Sequence, residues 1–111
     1  MPRSNNRNRR PQDAETSEER FKLQFGENLY LLRVTQKISQ EELARRAGIH
    51  RTQMSLYENG ERLPMADSAH RVAAALGVSL DRLFQGIEWI PPDSDDKTAT
   101  GFYEFPEPAS R

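Results

Sequence analysis

Hydrogen-bonding side chains recur at helical spacing between Arg51 and Asn59. A helix over this stretch would present four polar side chains on one side, those of Arg51, Thr52, Ser55 and Asn59, with Leu56 at the edge. Arginine can donate to O6 and N7 of one guanine, and threonine can offer a hydroxyl or a methyl group to a base. Such residues perform no covalent chemistry, but they suit the reading of base edges in the major groove of B-DNA. An ordinary polar surface helix is the alternative, and the neighbouring elements bear on the choice.

A second short helix is predicted directly before this one. Ser39 and Glu42 have the spacing of a capping box, and Gly48 ends the helical pattern, as Gly60 ends that of the following helix. Two helices joined by a short turn with glycine cross steeply, so the second projects one face outward. At the start of the earlier helix, Gln40 and the free backbone N–H groups point toward the same surface. This arrangement predicts a phosphate contact.

Three further helices complete the predicted domain. The first begins with a capping box at Thr16 and ends near Lys37. Its apolar stripe consists of Phe21, Phe25, Leu29 and Leu32. A fourth helix covers residues 66–76, and its buried stripe consists of Ala69, Val72, Ala73 and Leu76. Ser79 caps a fifth helix that ends at Gly86. The sequence therefore predicts an all-α core.

Composition divides the chain into three parts. Residues 1–15 are polar and rich in arginine, which predicts a flexible basic arm. Residues 16–86 form the predicted helical domain, and within it residues 19–86 carry ten Lys and Arg against eight Asp and Glu. Residues 87–111 carry two Lys and Arg against six Asp and Glu. The net charge of -1 therefore conceals a mildly basic middle.

The C-terminal extension, residues 87–111, contains two short aromatic segments separated by an acidic loop with prolines. The segments 87–90 and 101–105 are predicted to pair as short strands. A hairpin packed on the domain, a strand exchanged between protomers and a partner-binding segment all remain open, with a disordered acidic tail as the alternative. An isolated hairpin is marginally stable, so the aromatic side chains need cover. The predicted dimer or partner contacts are Trp89, Phe102, Tyr103 and Phe105.

Several function classes lack their characteristic residues in this chain. The absence of cysteine excludes disulfides, thiolate metal sites and thiol nucleophiles, and it favours a cytoplasmic location. No apolar run approaches the roughly 20 residues of a membrane span, and the N-terminal stretch lacks the apolar segment of a signal peptide. His50 and His70 have no second ligand at metal spacing. No phosphate-binding loop, zinc-protease motif or nucleophile elbow occurs, so neither an enzyme nor a cofactor is predicted.

The stretch from Ser39 to Phe84 resembles the helix-turn-helix domain of the Xre and phage lambda repressor-like family. The features that carry the resemblance are Gln40, Leu43 with Ala44, Gly48, Ile49, Tyr57 to Gly60, Pro64 and Leu76 to Leu83. The resemblance covers about 70 of the 111 residues and implies a five-helix domain whose third helix enters the major groove.

Individual roles follow from this resemblance. The implied base-reading residues are Arg51, Thr52, Ser55, Gln53 and His50, and the implied phosphate contacts are Gln40, Asn59 and Arg62. Leu56 departs from the family, whose members often carry a polar or basic residue there, and a thymine methyl contact is the alternative. Glu58 is expected to face inward and to pair with Arg33, whereas a plain solvent-exposed glutamate is the alternative.

Together these observations predict a sequence-specific DNA-binding transcription regulator. The simplest mechanism is a dimeric repressor that blocks promoter access, with double-stranded DNA and a second copy of the chain as partners. The alternative is an antitoxin-like protein whose C-terminal segment binds a partner protein. A co-purified protein would favour the alternative.

Overall fold

The structure, a computed structural model, describes residues 9–93 and 95–107. It contains five α-helices followed by a two-stranded antiparallel hairpin. The helices are α1 (Ser17–Thr35), α2 (Gln40–Ala47), α3 (Arg51–Glu58), α4 (Ala66–Leu76) and α5 (Leu80–Leu83). The strands are β1 (Glu88–Ile90) and β2 (Phe102–Glu104). The predicted all-helical domain with a C-terminal hairpin is therefore confirmed.

One hydrophobic core joins all five helices. Its fully buried side chains include Phe25 and Leu29 of α1, Leu43 of α2, Met54 of α3, Val72 of α4 and Leu83 of α5. Burial of each such side chain contributes about 1.5–3 kcal/mol. Because every helix contributes to the same core, the core fixes the direction of each helix, including that of α3.

Three predicted N-caps are formed as expected. The side-chain oxygens of Thr16, Ser39 and Ser79 each accept a backbone N–H from the residue three positions later. These bonds satisfy backbone donors that have no partner within the helix.

The end of α1 lies two residues before the predicted end at Lys37. Lys37 adopts a left-handed conformation with φ 63°. Its N–H donates to the carbonyl of Val34 at 3.0 Å, and the N–H of Ile38 donates to that of Arg33 at 3.5 Å. This pattern is a Schellman motif, in which glycine is the usual left-handed residue.

The fifth helix is one turn long, so the prediction that it continues to Gly86 is wrong. Asn28 of α1 donates through Nδ2 to the carbonyl of Leu83 at 2.9 Å and to that of Gln85 at 2.8 Å. These carbonyls are satisfied by a side chain rather than by further helical turns. The chain then leaves α5 along α1 and enters the hairpin.

The hairpin packs on the N-terminal half of α1. Trp89 of β1 lies opposite Tyr103 of β2 in the register, and the two rings meet at 4.9 Å. Tyr103 also contacts Phe21 of α1, with ring centroids 5.2 Å apart. The guanidinium of Arg20 lies 4.8 Å from the ring centroid of Phe105. The aromatic segments thus cover α1, as in the first of the three predicted arrangements.

Residues 9–15 differ from the predicted flexible arm. The segment Pro11–Asp13 forms a 3-10 turn whose proline is buried. Arg9 forms an ion pair with Glu19 of α1, which attaches this segment to the helix. The rest of the predicted arm, residues 1–8, lies outside the described residues.

Candidate nucleic-acid interface

The turn between α2 and α3 is held from α4. Gly48 ends α2 in a left-handed conformation with φ 69°. Arg71 of α4 donates through Nη1 to the carbonyl of Ala47 at 3.1 Å and to that of Gly48 at 2.7 Å. A guanidinium at this place also complements the partial negative charge of a helix C-terminus. Arg71 therefore helps to fix where α3 begins, although no local pattern in the sequence indicates it.

The outer side of α3 carries most of the predicted base-reading residues. His50, Arg51 and Thr52 are exposed, and Gln53, Ser55 and Leu56 are half-buried. His50 precedes the helix as its N-cap, and its Nδ1 accepts the backbone N–H of Thr52 at 3.2 Å. Gln53 accepts from Nη1 of Arg62 at 3.2 Å. The structure thus connects a predicted base reader, Gln53, with a predicted phosphate contact, Arg62.

Asn59 does not share this outer side, so the prediction from helical spacing that its side chain faces outward is wrong. Its relative exposure is 3%. Helix α3 ends at Glu58, and Gly60, with φ 74°, turns the chain toward α1. A Cβ added at Gly60 would lie 2.7 Å from a side-chain carbon of Leu23. The close approach to α1 after the helix end, rather than helical spacing, decides the burial of Asn59.

A buried ion pair holds α3 against α1 and α2. Glu58 is fully buried and Arg33 is 5% exposed. Arg33 donates through Nε to Glu58 Oε2 at 2.5 Å and through Nη2 to Oε1 at 3.1 Å. Gln40, the first residue of α2, donates to the same Oε1 at 2.9 Å. The structure therefore brings together Arg33, Glu58 and Gln40, and the alternative of a solvent-exposed Glu58 does not hold.

Close contact between α1 and α3 requires a glycine in the middle of α1. A Cβ added at Gly26 would lie 2.6 Å from the carbonyl oxygen of Glu58 and 2.7 Å from that of Tyr57. Glycine inside a helix is less favourable than alanine by about 1 kcal/mol, so its presence is a signal of close packing. Gly26 was assigned no role from the sequence, although a glycine inside the predicted first helix was such a signal.

Charge on the exposed side of α2 is partly neutralised within the helix. Glu42 accepts from Arg45 Nη2 at 2.6 Å and from Arg46 Nε at 2.7 Å. The hydrogen bonds from Arg45 and Arg46 lower the pKa of Glu42 from 4.5 to about 2. The same contact raises the pKa of Arg45. Glu42 therefore stays ionised at neutral pH and compensates two cations.

Metal-binding groups are absent from residues 9–93 and 95–107, where no three His, Asp or Glu side chains gather closely enough to hold an ion. Within the same residues, no helix combines the length and the apolarity that a membrane crossing requires.

Comparisons with known proteins agree with this architecture. The helix-turn-helix family model matches residues 29–83. The control protein C.MunI from a Mycoplasma species is 37% identical over 69 residues, which cover 61% of this chain and 93% of C.MunI. The HTH-type transcriptional activator BcrR from Enterococcus faecalis is 32% identical over 68 residues, which cover 61% of this chain. The chain spans only 33% of the length of BcrR.

The similarity to known proteins includes the three-dimensional fold of a solved structure. The restriction-modification controller protein C.AhdI from Aeromonas hydrophila superposes with a TM-score of 0.54 at 33% sequence identity. The superposition covers 55% of this chain and 92% of C.AhdI. The family match ends at residue 83, before the hairpin begins. The fold, the paired helices and these relatives show that the chain belongs to the Xre and lambda repressor-like helix-turn-helix family of DNA-binding transcription regulators.

Proposed function

We propose that this chain binds a specific DNA operator as a dimer and regulates transcription there, most simply by occupying a promoter. The observation that carries the proposal is the polar outer side of α3, which the buried Arg33–Glu58 pair fixes against α1 and α2. A helix held in this way is already ordered in the free protein. Its binding in the major groove therefore carries no entropic cost of ordering the helix.

Base reading is assigned to the exposed start of α3 and its next turn. Arg51 suits a guanine, because its guanidinium can donate to O6 and N7 together, and Thr52 and Ser55 suit single hydrogen bonds to base edges. Nδ1 of His50 accepts the capping hydrogen bond of α3, so Nε2 is the ring nitrogen that remains to contact DNA. Leu56 has no polar group to offer, so its proposed contact is a thymine methyl group.

Phosphate binding is assigned to the two ends of the helix pair. Arg62 is exposed after α3 and is already bonded to Gln53. Gln40 is the first residue of α2, where the backbone N–H groups point out of the helix end, and its side chain donates to Glu58. Phosphate contacts of this kind set the register of the protein on the duplex.

A dimer is part of the proposal because one domain of this size reads few base pairs. Two copies on half-sites about 34 Å apart would each place one α3 in successive major grooves. One relative is called a transcriptional activator and two are called control or controller proteins. A promoter-reporter assay therefore has to decide between repression, which we propose, and activation.

The hairpin bears on the choice between the dimer and the second candidate function, which is capture of a partner protein. Trp89 and Phe102 remain 51% and 54% exposed, and both lie outside the residues that the family model matches. The register pairs Trp89 with Tyr103 and Ile90 with Phe102, so the two exposed rings lie on opposite faces of the hairpin. Large exposed aromatic side chains favour a contact with another chain. We assign that contact to the dimer, with Tyr103 and Phe105 supporting the hairpin from the α1 side. Capture of a different protein, as in an antitoxin-like role, is the rival, and a stable co-purified partner would support it.

The proposed activity is binding alone, in the cytoplasm, without a chemical step or a cofactor. Selection of duplexes from a random-sequence pool tests it. The proposal expects an enriched motif with two related half-sites separated by about one helical turn. Recovery of no common motif after repeated rounds would contradict sequence-specific binding.

A further inference from the structure

A concave surface lies where the end of α1 meets the starts of α2 and α3. Its volume is about 340 Å³, and its charged and polar lining includes Lys37, Gln40, Glu41 and Arg51. Arg33 also lines it, but its charge is compensated by Glu58. Lys37 therefore shares one concavity with Arg51, the residue proposed to read a guanine.

The cations in this concavity are less compensated than those on the exposed side of α2 and at the turn between α2 and α3. Arg45 and Arg46 are bound by Glu42, and Arg71 is bound by two carbonyls at the end of α2. In contrast, Lys37 is exposed, and within residues 9–93 and 95–107 its ammonium has no ion pair or hydrogen bond. Arg51 is in the same situation. Glu41 contributes one exposed negative charge, so the two cations leave the concavity positive.

Lysine is an unusual residue at position 37 because the backbone there is left-handed. Lys37 is the only residue other than glycine with a positive φ among the described residues, at 63°. It occupies the position of the Schellman motif that glycine fills without strain. Since its ammonium has no partner in the described fold, lysine offers the folded chain no compensating contact there.

We propose that Lys37 binds a DNA phosphate next to the base pairs read by Arg51. A lysine ammonium is a compact charge on a flexible stem with three donors, which suits a phosphate oxygen more than a base edge. The contact rests on the proposed DNA binding and deepens it, because it adds an anchor on the α1 side of α3. The left-handed turn carries the lysine at the rim of the concavity, before α2 begins.

Replacement of Lys37 by glycine tests the proposal, because it should have opposite effects on the stability of the fold and on DNA binding. Glycine relieves the backbone conformation, so the melting temperature should stay constant or rise. Binding to a duplex selected from the random pool should weaken, and the slope of log K against log salt should fall by about 0.9. That change corresponds to roughly fivefold weaker binding at about 0.15 M salt, if the contact contributes nothing at about 1 M. Lys37→Arg should keep the parent slope.

Lys97→Gly, in the exposed connection of the hairpin, is the matched control for loss of one lysine charge. It should leave the slope unchanged. An unchanged slope for Lys37→Gly would overturn the phosphate contact. This holds even if binding became weaker, because a loss of affinity with the parent slope would come from displaced helices. If Arg51→Ala still altered sequence preference in either case, the proposed function would stand without the Lys37 contact. Failure of the parent chain to bind the selected duplex would instead overturn both.

Discussion

Replacement of Glu58 by alanine should destabilise the domain more than any surface substitution. The carboxylate accepts hydrogen bonds at 2.5 and 3.1 Å from Arg33 and at 2.9 Å from Gln40. Without it, Arg33 keeps, within the described part of the chain, a hydrogen bond to the carbonyl of Ile38 at 2.7 Å and a position 5.7 Å from the ring centroid of Tyr30, while remaining 5% exposed. An uncompensated buried charge costs about 3–5 kcal/mol. We therefore expect the free energy of unfolding to fall by about that amount.

Thermal and urea unfolding measure this loss. Each kcal/mol corresponds to about 4–8 °C for a domain of this size, so the melting temperature should fall by about 12–40 °C. Glu42→Ala is the matched control, because Glu42 also bonds two arginine groups but lies on the exposed side of α2. Its effect should be far smaller, since solvent and salt screen exposed ion pairs.

Two outcomes would refute the buried-pair reasoning. Glu58→Ala could melt with the parent, or it could lose no more stability than Glu42→Ala. A double replacement, Arg33→Met with Glu58→Leu, separates charge from packing. Because it leaves no buried charge, it should recover much of the loss of Glu58→Ala. If the double variant were less stable than Glu58→Ala, desolvated charge would not be the cause.

Three further predictions concern packing, pH and assembly. Gly26→Ala places a methyl group 2.6 Å from the carbonyl oxygen of Glu58, so urea unfolding should show a loss of about 1–3 kcal/mol, and parent-like stability would contradict the close helix contact. The folded pKa of Glu42, about 2, lies below the ordinary 4.5, so its stabilising contribution is complete above 4.5 and is lost as pH falls through 2. The difference in melting temperature between the parent and Glu42→Gln should shrink over that interval, and a constant difference down to pH 2 would refute the assignment. Truncation after Gly86 should abolish the proposed dimer and weaken operator binding in sedimentation and titration experiments, whereas an intact dimer with tighter binding would leave the acidic extension only an electrostatic role.

Local features of the sequence were sufficient to predict the helix pair. The cap at Ser39 and the left-handed Gly48 act within a few residues, so their effect can be inferred from spacing. The partner of Glu58 was inferred only from the family resemblance, since Arg33 is 25 residues away in the chain.

Contacts between distant helices explain what the sequence did not predict. Arg71 holds the α2 to α3 turn from 23 and 24 residues away, and Asn28 ends α5 from 55 residues away. Helical spacing alone placed Asn59 outward, but the turn at Gly60 against α1 reversed that result. In each case tertiary packing overrode a local pattern.

The sequence preference of Arg51→Ala tests the central claim, base reading by α3, most directly. The parent and the variant would be titrated against the selected operator and its single-base variants, with circular dichroism as a control for folding. We predict a loss of about 1–3 kcal/mol on the selected operator and relaxed preference at one base position only. The same loss on every duplex would make Arg51 a phosphate contact and contradict the account.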